Sequence, residues 1–165
     1  MESKKKKRLD SRAKGARSER VLVKLFTEWW GADFGRTPLS GGAFTSKKMR
    51  DDLNASGDLV CSDPLFPYTV ECKHVEGFEF SQLLTAPRCD FYSWWDQTIG
   101  ETSQGKIPLL VFTKNRSPWF FAMYTKDTNK LRLGRCLFID IHTDNVTIGL
   151  LTNLMTHENR LMLSL

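Results

Sequence analysis

Residues 68–74 read Tyr-Thr-Val-Glu-Cys-Lys-His, and residues 58–61 before them read Asp-Leu-Val-Cys. Both are short apolar runs separated by Ser-Asp-Pro and Phe66-Pro67, a pattern that predicts a hairpin. Side chains on a strand alternate, so Glu71 and Lys73 share one face while Val70 and Cys72 share the other. An acid and an amine two residues apart on an apolar strand are costly to bury unless they serve each other or a ligand. Asp58, opening the preceding strand, reaches the same end of the sheet. Two carboxylates converging there make a hard-oxygen site suited to Mg²⁺, completed by water and a phosphate oxygen. Such an ion polarises a phosphodiester and lowers the pKa of an attacking water. Lys73 would orient that water or neutralise charge developing on the phosphorane. The competing reading is a same-face surface pair of Glu71 and Lys73. Both acids lie on apolar strand segments and not on a solvated helix, which favours the site.

Upstream, the spacing predicts a helix from about Gly15 to Trp30. Leu22, Leu25, Phe26 and Trp29 fall on one apolar stripe, and Gly31 stops it. Glu19 lies three, four and seven residues before Leu22, Val23 and Phe26, so it belongs to the inward stripe. It is either a charge partner of the helix N-terminus or a site ligand. Phe34–Arg36 reads as a short strand. Residues 37–57 form a long polar segment with Pro38, Gly41, Gly42 and the basic cluster Lys47, Lys48, Arg50, and so long a connection is functional or mobile. Downstream, Ser81 to about Ile99 reads as a helix capped by Ser81, with Pro87 kinking or dividing it and Phe91, Tyr92, Trp94 and Trp95 as its packing face. Lys106–Thr113 has the apolar run of a buried central strand, with Trp119–Tyr124 beside it. Leu131–Leu165 alternates without a chemical motif. The element order predicts an α/β fold: one domain over residues 15–165, with a mixed central β-sheet flanked by helices.

The chain has 165 residues and a mass of 19.0 kDa, which suits one domain with one core. No apolar run approaches the roughly 20 residues of a membrane span, and the basic first residues lack a secretion signal's apolar stretch. The expectation is a cytoplasmic protein with no membrane partner. Cys61, Cys72, Cys89 and Cys136 are irregularly spaced with no Cys-x-x-Cys, which argues against a zinc ribbon. Net charge is +5, and its placement is informative. The first twenty residues hold nine Lys/Arg against Glu2, Asp10 and Glu19, so the rest of the chain is close to neutral. Residues 1–14 read as a flexible basic arm, either a solvated tail or, with Arg12, Lys14, Arg17 and Arg20, a binder of polyanions such as DNA. His74, His142 and His157 are isolated and take no role. Gly41-Gly42 lacks the Gly-Lys-Ser/Thr of a phosphate-binding loop. Trp94, Trp95, Trp119, Phe120 and Phe121 are core, or else a dimer surface or base-stacking platform. Gln82 is a candidate for a phosphate or water contact.

The segments KGARSERVLVKLF (14–26), GRTPLSGG (35–42), GDLV (57–60) and YTVECK (68–73) resemble, in order and spacing, the archaeal-type Holliday junction resolvases of the PD-(D/E)xK nuclease superfamily. The likeness covers roughly residues 14–75 and beyond that is one of element order. It implies a restriction-endonuclease-like domain that cleaves four-way DNA junctions as a homodimer. It implies a catalytic set of Glu19, Asp58, Glu71 and Lys73, with the metal held by Glu19, Asp58, Glu71 and Cys72. The ion would be Mg²⁺, with Mn²⁺ as a substitute, and Arg36 and Ser40 would join the DNA contacts. Two departures stand out. The stretch from Ser40 to Asp58 is longer than in compact members, which leaves Asp51 or Asp52 as competing acids. Gly57 stands where the superfamily has proline. Another nuclease of the superfamily, of nicking, repair or restriction type, and a non-catalytic nucleic-acid-binding module are the alternatives.

Overall fold

The computed structural model describes residues 2–37, 56–86 and 88–164, with side chains from Ala13 onward. Helix α1 runs Glu2–Trp30, beginning well before the expected Gly15. The basic stretch has no proline, and Lys, Arg and Ser at modest propensity cost let the helical backbone continue through the expected flexible arm. The helix ends where expected. Gly31 has φ 79 and its N–H donates to the Thr27 carbonyl at 2.9 Å, a left-handed stop that glycine adopts without steric cost. Leu22, Phe26, Trp29 and Trp30 are buried.

Strands β1 (Phe34–Arg36) and β2 (Leu59–Cys61) pair antiparallel as a small ribbon. Strand β3 (Tyr68–Val75) pairs instead with β4 (Ile107–Lys114), in parallel. The expected β2–β3 hairpin is therefore corrected. A single ladder-like bond joins the two segments, from Asp58 N–H to the Val70 carbonyl at 2.8 Å. The connection explains this. It contains Pro64 and Pro67, which lack donors, and Lys106 ties its Pro64 carbonyl at 2.9 Å.

Between β3 and β4 the chain crosses over through α2 (Gln82–Thr85) and α3 (Asp90–Glu101). The expected helical span is thus two helices, the division expected at Pro87. Ser81 occupies the N-cap position but makes no side-chain cap bond. Its turn is already helical, with main-chain bonds from Gln82 to Glu79 and Leu83 to Phe80. Strands β5 (Phe120–Tyr124), β6 (Cys136–Ile141) and β7 (Asp144–Leu150) complete a five-stranded sheet of order β3-β4-β5-β7-β6, antiparallel beyond β4. Helices α4 (Leu151–Leu154) and α5 (His157–Leu163) close the chain.

Alternation along β4 divides the core in two. Leu109 and Val111 join α1, Val70 and Phe121 on one face, whereas Leu110 and Phe112 join Phe91, Trp95 and Ala122 on the other. Both faces of β4 are buried, as its unbroken apolar run requires. Trp95 and Phe121 are core, Trp94, Trp119 and Phe120 are partly covered, and Leu161 and Met162 are exposed. The fold is the α/β domain expected, a mixed sheet with helices on both faces.

Candidate active site

Three local devices bring Asp58 to β3. Its N–H donates to the Val70 carbonyl, and its own carbonyl accepts from Thr37 N–H at 3.0 Å. The preceding Gly57 has φ 72, and a Cβ there would stand 2.4 Å from the Val70 carbonyl oxygen. A proline, with φ near −65°, would not fit this backbone; glycine at the superfamily's proline position is a requirement of the local path. One residue earlier, the buried Ser56 hydroxyl meets Thr69 Oγ1 at 3.1 Å and also bonds Ser103. The chain is fixed on both sides of the acid.

The Asp58 carboxylate is held by main chain. Its Oδ2 accepts from Cys72 N–H at 2.8 Å. Glu71 and Lys73 share the α3 face of β3, as alternation predicts. Glu71 is 3% exposed, and Lys73 Nζ donates to its Oε1 at 2.7 Å. Lys73 also donates to Gln97 Oε1 at 2.8 Å, and Gln97 Nε2 donates to Glu101 Oε1 at 3.0 Å. Glu71 Oε2 is buried without a partner. Burial lifts the Asp58 carboxyl from its ordinary 3.8 to about 6, with the Cys72 N–H opposing and Glu19 reinforcing the rise. Burial, then the Asp58 charge, pushes Glu71 up to about 7. Two acids resisting ionisation beside an unpartnered buried oxygen describe a place that stabilises a cation.

Among the described residues, no three His, Cys, Asp or Glu side chains stand close enough to hold a metal ion. Glu19 is close enough for its charge to act on Asp58. Its Oε2 accepts from Arg36 Nε across α1 and β1, so Arg36 serves as its partner. The acids available are Asp58 and Glu71. The Cys72 thiol is ill suited as a ligand, because burial holds its pKa well above the thiol range and a protonated thiol binds Mg²⁺ poorly. The Cys72 main chain, which meets Asp58, offers a carbonyl at the same free edge of β3. The residues fit a hard divalent cation held by two carboxylates and this carbonyl, with water filling the rest.

A family model described as "Phage putative PDDEXK endonuclease" matches residues 10–159. The chain belongs to this family. The matched span takes in Glu19, Asp58, Glu71 and Lys73, of which the last three sit at the sheet edge just described. It is also similar to "Protein D14" of Escherichia phage T5, 28% identical over 121 residues that cover 72% of this chain and 74% of that protein. No solved structure matches the chain.

In this endonuclease Lys14 lies near Glu76 at 4.0 Å, and Arg17 and Arg20 are exposed on α1. Gln82 is exposed at the start of α2. The residue that meets Lys73 is Gln97 of α3, about two turns from the start of that helix, which sequence reasoning passed over. Its signal was the pair Gln97 and Glu101, four apart on the polar side of an aromatic helix. Ser40, Lys47, Lys48, Arg50, Asp51, Asp52 and the side chain of Arg12 lie outside the described residues. Among the described residues, no helix is long and apolar enough to cross a membrane.

Proposed function

We propose that this endonuclease hydrolyses phosphodiester bonds in branched DNA, four-way junctions foremost, with Mg²⁺ as its cofactor and Mn²⁺ as a substitute. The observation that carries this is the convergence of Asp58, Glu71 and Lys73 on the free edge of β3. The ion, held by Asp58, Glu71 and the Cys72 carbonyl, would polarise the phosphate and activate water. Lys73 brings a cation to the same point, aimed by Glu71 and Gln97, to neutralise charge on the phosphoryl oxygens. Glu19 adds negative potential and, tied to Arg36, joins α1 to the ribbon that bears Asp58.

The preference for branched DNA rests on the likeness of residues 14–75 to junction resolvases, and on basic residues that would contact phosphates without reading bases. Arg17 and Arg20 lie along α1; Lys47, Lys48, Arg50 and Ser40 would add contacts from the long connection. Symmetric cutting of a junction calls for a homodimer. The exposed Leu137 and Phe138 of edge strand β6, 48% and 69% accessible, are apolar surface for that contact. The work would take place in the cytoplasm, where DNA is accessible.

The test is cleavage of matched four-way, flap and linear duplex DNAs with Mg²⁺, by the wild type and Asp58→Asn. Cleavage of the junction by the wild type alone is expected. Mixed dimers with Glu71→Gln chains should nick where wild-type dimers resolve. Equal cutting of linear duplex would assign the chain to the repair or restriction alternative, and full activity of Asp58→Asn would remove the site.

A further inference from the structure

A cavity lies on the opposite face of β3 from Glu71 and Lys73. Between α1 and the turn joining β4 to β5 there is a cleft of about 580 Å³, lined by Lys14, Arg17, His74, Lys114, Arg116 and Trp119 among others. Among the described residues, no carboxylate lines it. Glu76 and Glu79 pair with Lys14 and Lys114 from outside, at 4.0 Å and 2.8 Å. Arg17 and Arg116 are exposed and, among the described residues, form no ion pair. Arg116 sits at φ 59, a left-handed backbone that non-glycine residues seldom adopt and that tends to mark functional turns.

The floor is aromatic and fixed. His74 and Trp119 meet edge to face with centroids 6.3 Å apart. Ser18 Oγ lies 2.6 Å from His74 Nδ1, and Asn115 Oδ1 lies 3.1 Å from Nε2. One arrangement satisfies both: the Ser18 hydroxyl donates to Nδ1, and Nε2–H donates to Asn115. Ser18 is itself buried, so α1, β3 and the turn are locked around the imidazole.

We propose that this cleft holds one unpaired nucleotide of the DNA, its base set on the Trp119–His74 floor and its flanking phosphates on Arg17, Arg116 and Lys14. The inference rests on the reading of the protein as a nuclease acting on branched DNA. A basic rim over an aromatic wall is the recurring design for single strands, because every base has a π face to stack. A duplex keeps those faces inside its stack, and a recess of this size suits one small ligand. His74 follows Lys73 on β3 and lies about 10 Å along the strand from Glu71, so a strand leaving the acids over the end of β3 enters the cleft.

Binding is measured with the Glu71→Gln chain in chelator, by fluorescence anisotropy. The probes are an oligothymidylate of about eight nucleotides, within the usual site sizes, and a duplex of about twenty base pairs, two helical turns. Trp119→Leu should weaken single-strand binding about tenfold, one lost stack, and duplex binding by less than about threefold. Trp119→Phe should restore the single-strand affinity. Arg17→Ala with Arg116→Ala, both at exposed positions, should flatten the single-strand salt slope by about 1.4, at roughly 0.7 per phosphate. The arginine pair decides the matter if Trp119→Leu does not fold. Equal losses on both probes would make the cleft a general backbone surface, and no loss on either would mean DNA does not enter it; each overturns the proposal. The readout needs no cleavage, so failure of the nuclease reading would show separately, as an uncut junction in Mg²⁺.

Discussion

Glu71→Gln separates the electrostatic cost of the site from its chemistry. Burial and the Asp58 charge raise the Glu71 carboxyl from 4.5 to about 7. The folded chain then holds this proton more tightly than the unfolded chain does. Stability is fullest below about pH 4.5 and falls as pH rises toward 7, where the carboxylate ionises in place. At about 1.4 kcal/mol per tenfold change in proton affinity, the ionised group costs the metal-free fold about 3 kcal/mol above pH 7. Glutamine does not ionise, but its amide nitrogen would replace the unpartnered Oε2 and leave a buried donor unsatisfied, about 1–3 kcal/mol at every pH. The two effects part when urea unfolding is followed in chelator from about pH 4.5 to 8. The variant should start less stable and gain on the wild type by about 3 kcal/mol, or about 1.5 M in urea midpoint at a slope near 2 kcal/mol per molar. Mg²⁺ at about a hundredfold excess over its Kd should return about 2.7 kcal/mol to the wild type and far less to the variant. Midpoints that run parallel across this pH range would refute the claim that the site holds its charge under strain.

Gly57→Ala should lower stability by more than about 2 kcal/mol and depress cleavage, because the new Cβ meets the Val70 carbonyl and displaces Asp58; an unchanged thermal midpoint would show that the backbone can relax there. Glu19→Gln should slow cleavage at least about tenfold while lowering stability by less than about 1 kcal/mol, since its pair with Arg36 is partly solvated. A fully active but less stable Glu19→Gln chain would make Glu19 a strut between α1 and β1 and nothing more.

The parts legible in the sequence were those that local periodicity encodes. The stripe Leu22, Phe26, Trp29 gave the face of α1, alternation placed Glu71 and Lys73 together, and the run through Leu109–Phe112 marked a strand covered on both faces. Pairing was not legible. β2 joins β1 across residues 37–58, and no local pattern reports a partner that far away. The same distance hides Gln97 from Lys73, and Ser18 from His74, which had no assigned role before α1 and β4 met around it. The strand pattern had already placed Asp58 beside the Glu-x-Lys pair, and the likeness to the superfamily added Glu19 to the set. The structure adds that Glu19 is also ion-paired with Arg36 while its charge still acts on Asp58.

Among the described residues, the Asp58 carboxylate is anchored by the amide of Cys72 and by no side chain. Every amino acid except proline supplies that amide, so the middle letter of the Glu-x-Lys motif is free to drift under whatever packing α1 demands. Physics forbids it one residue of twenty. A chain carrying proline there would keep every acid of its motif and still lose the ruler that sets their spacing, which makes that substitution a sharper mark of a dead copy than many changes to the charged residues themselves.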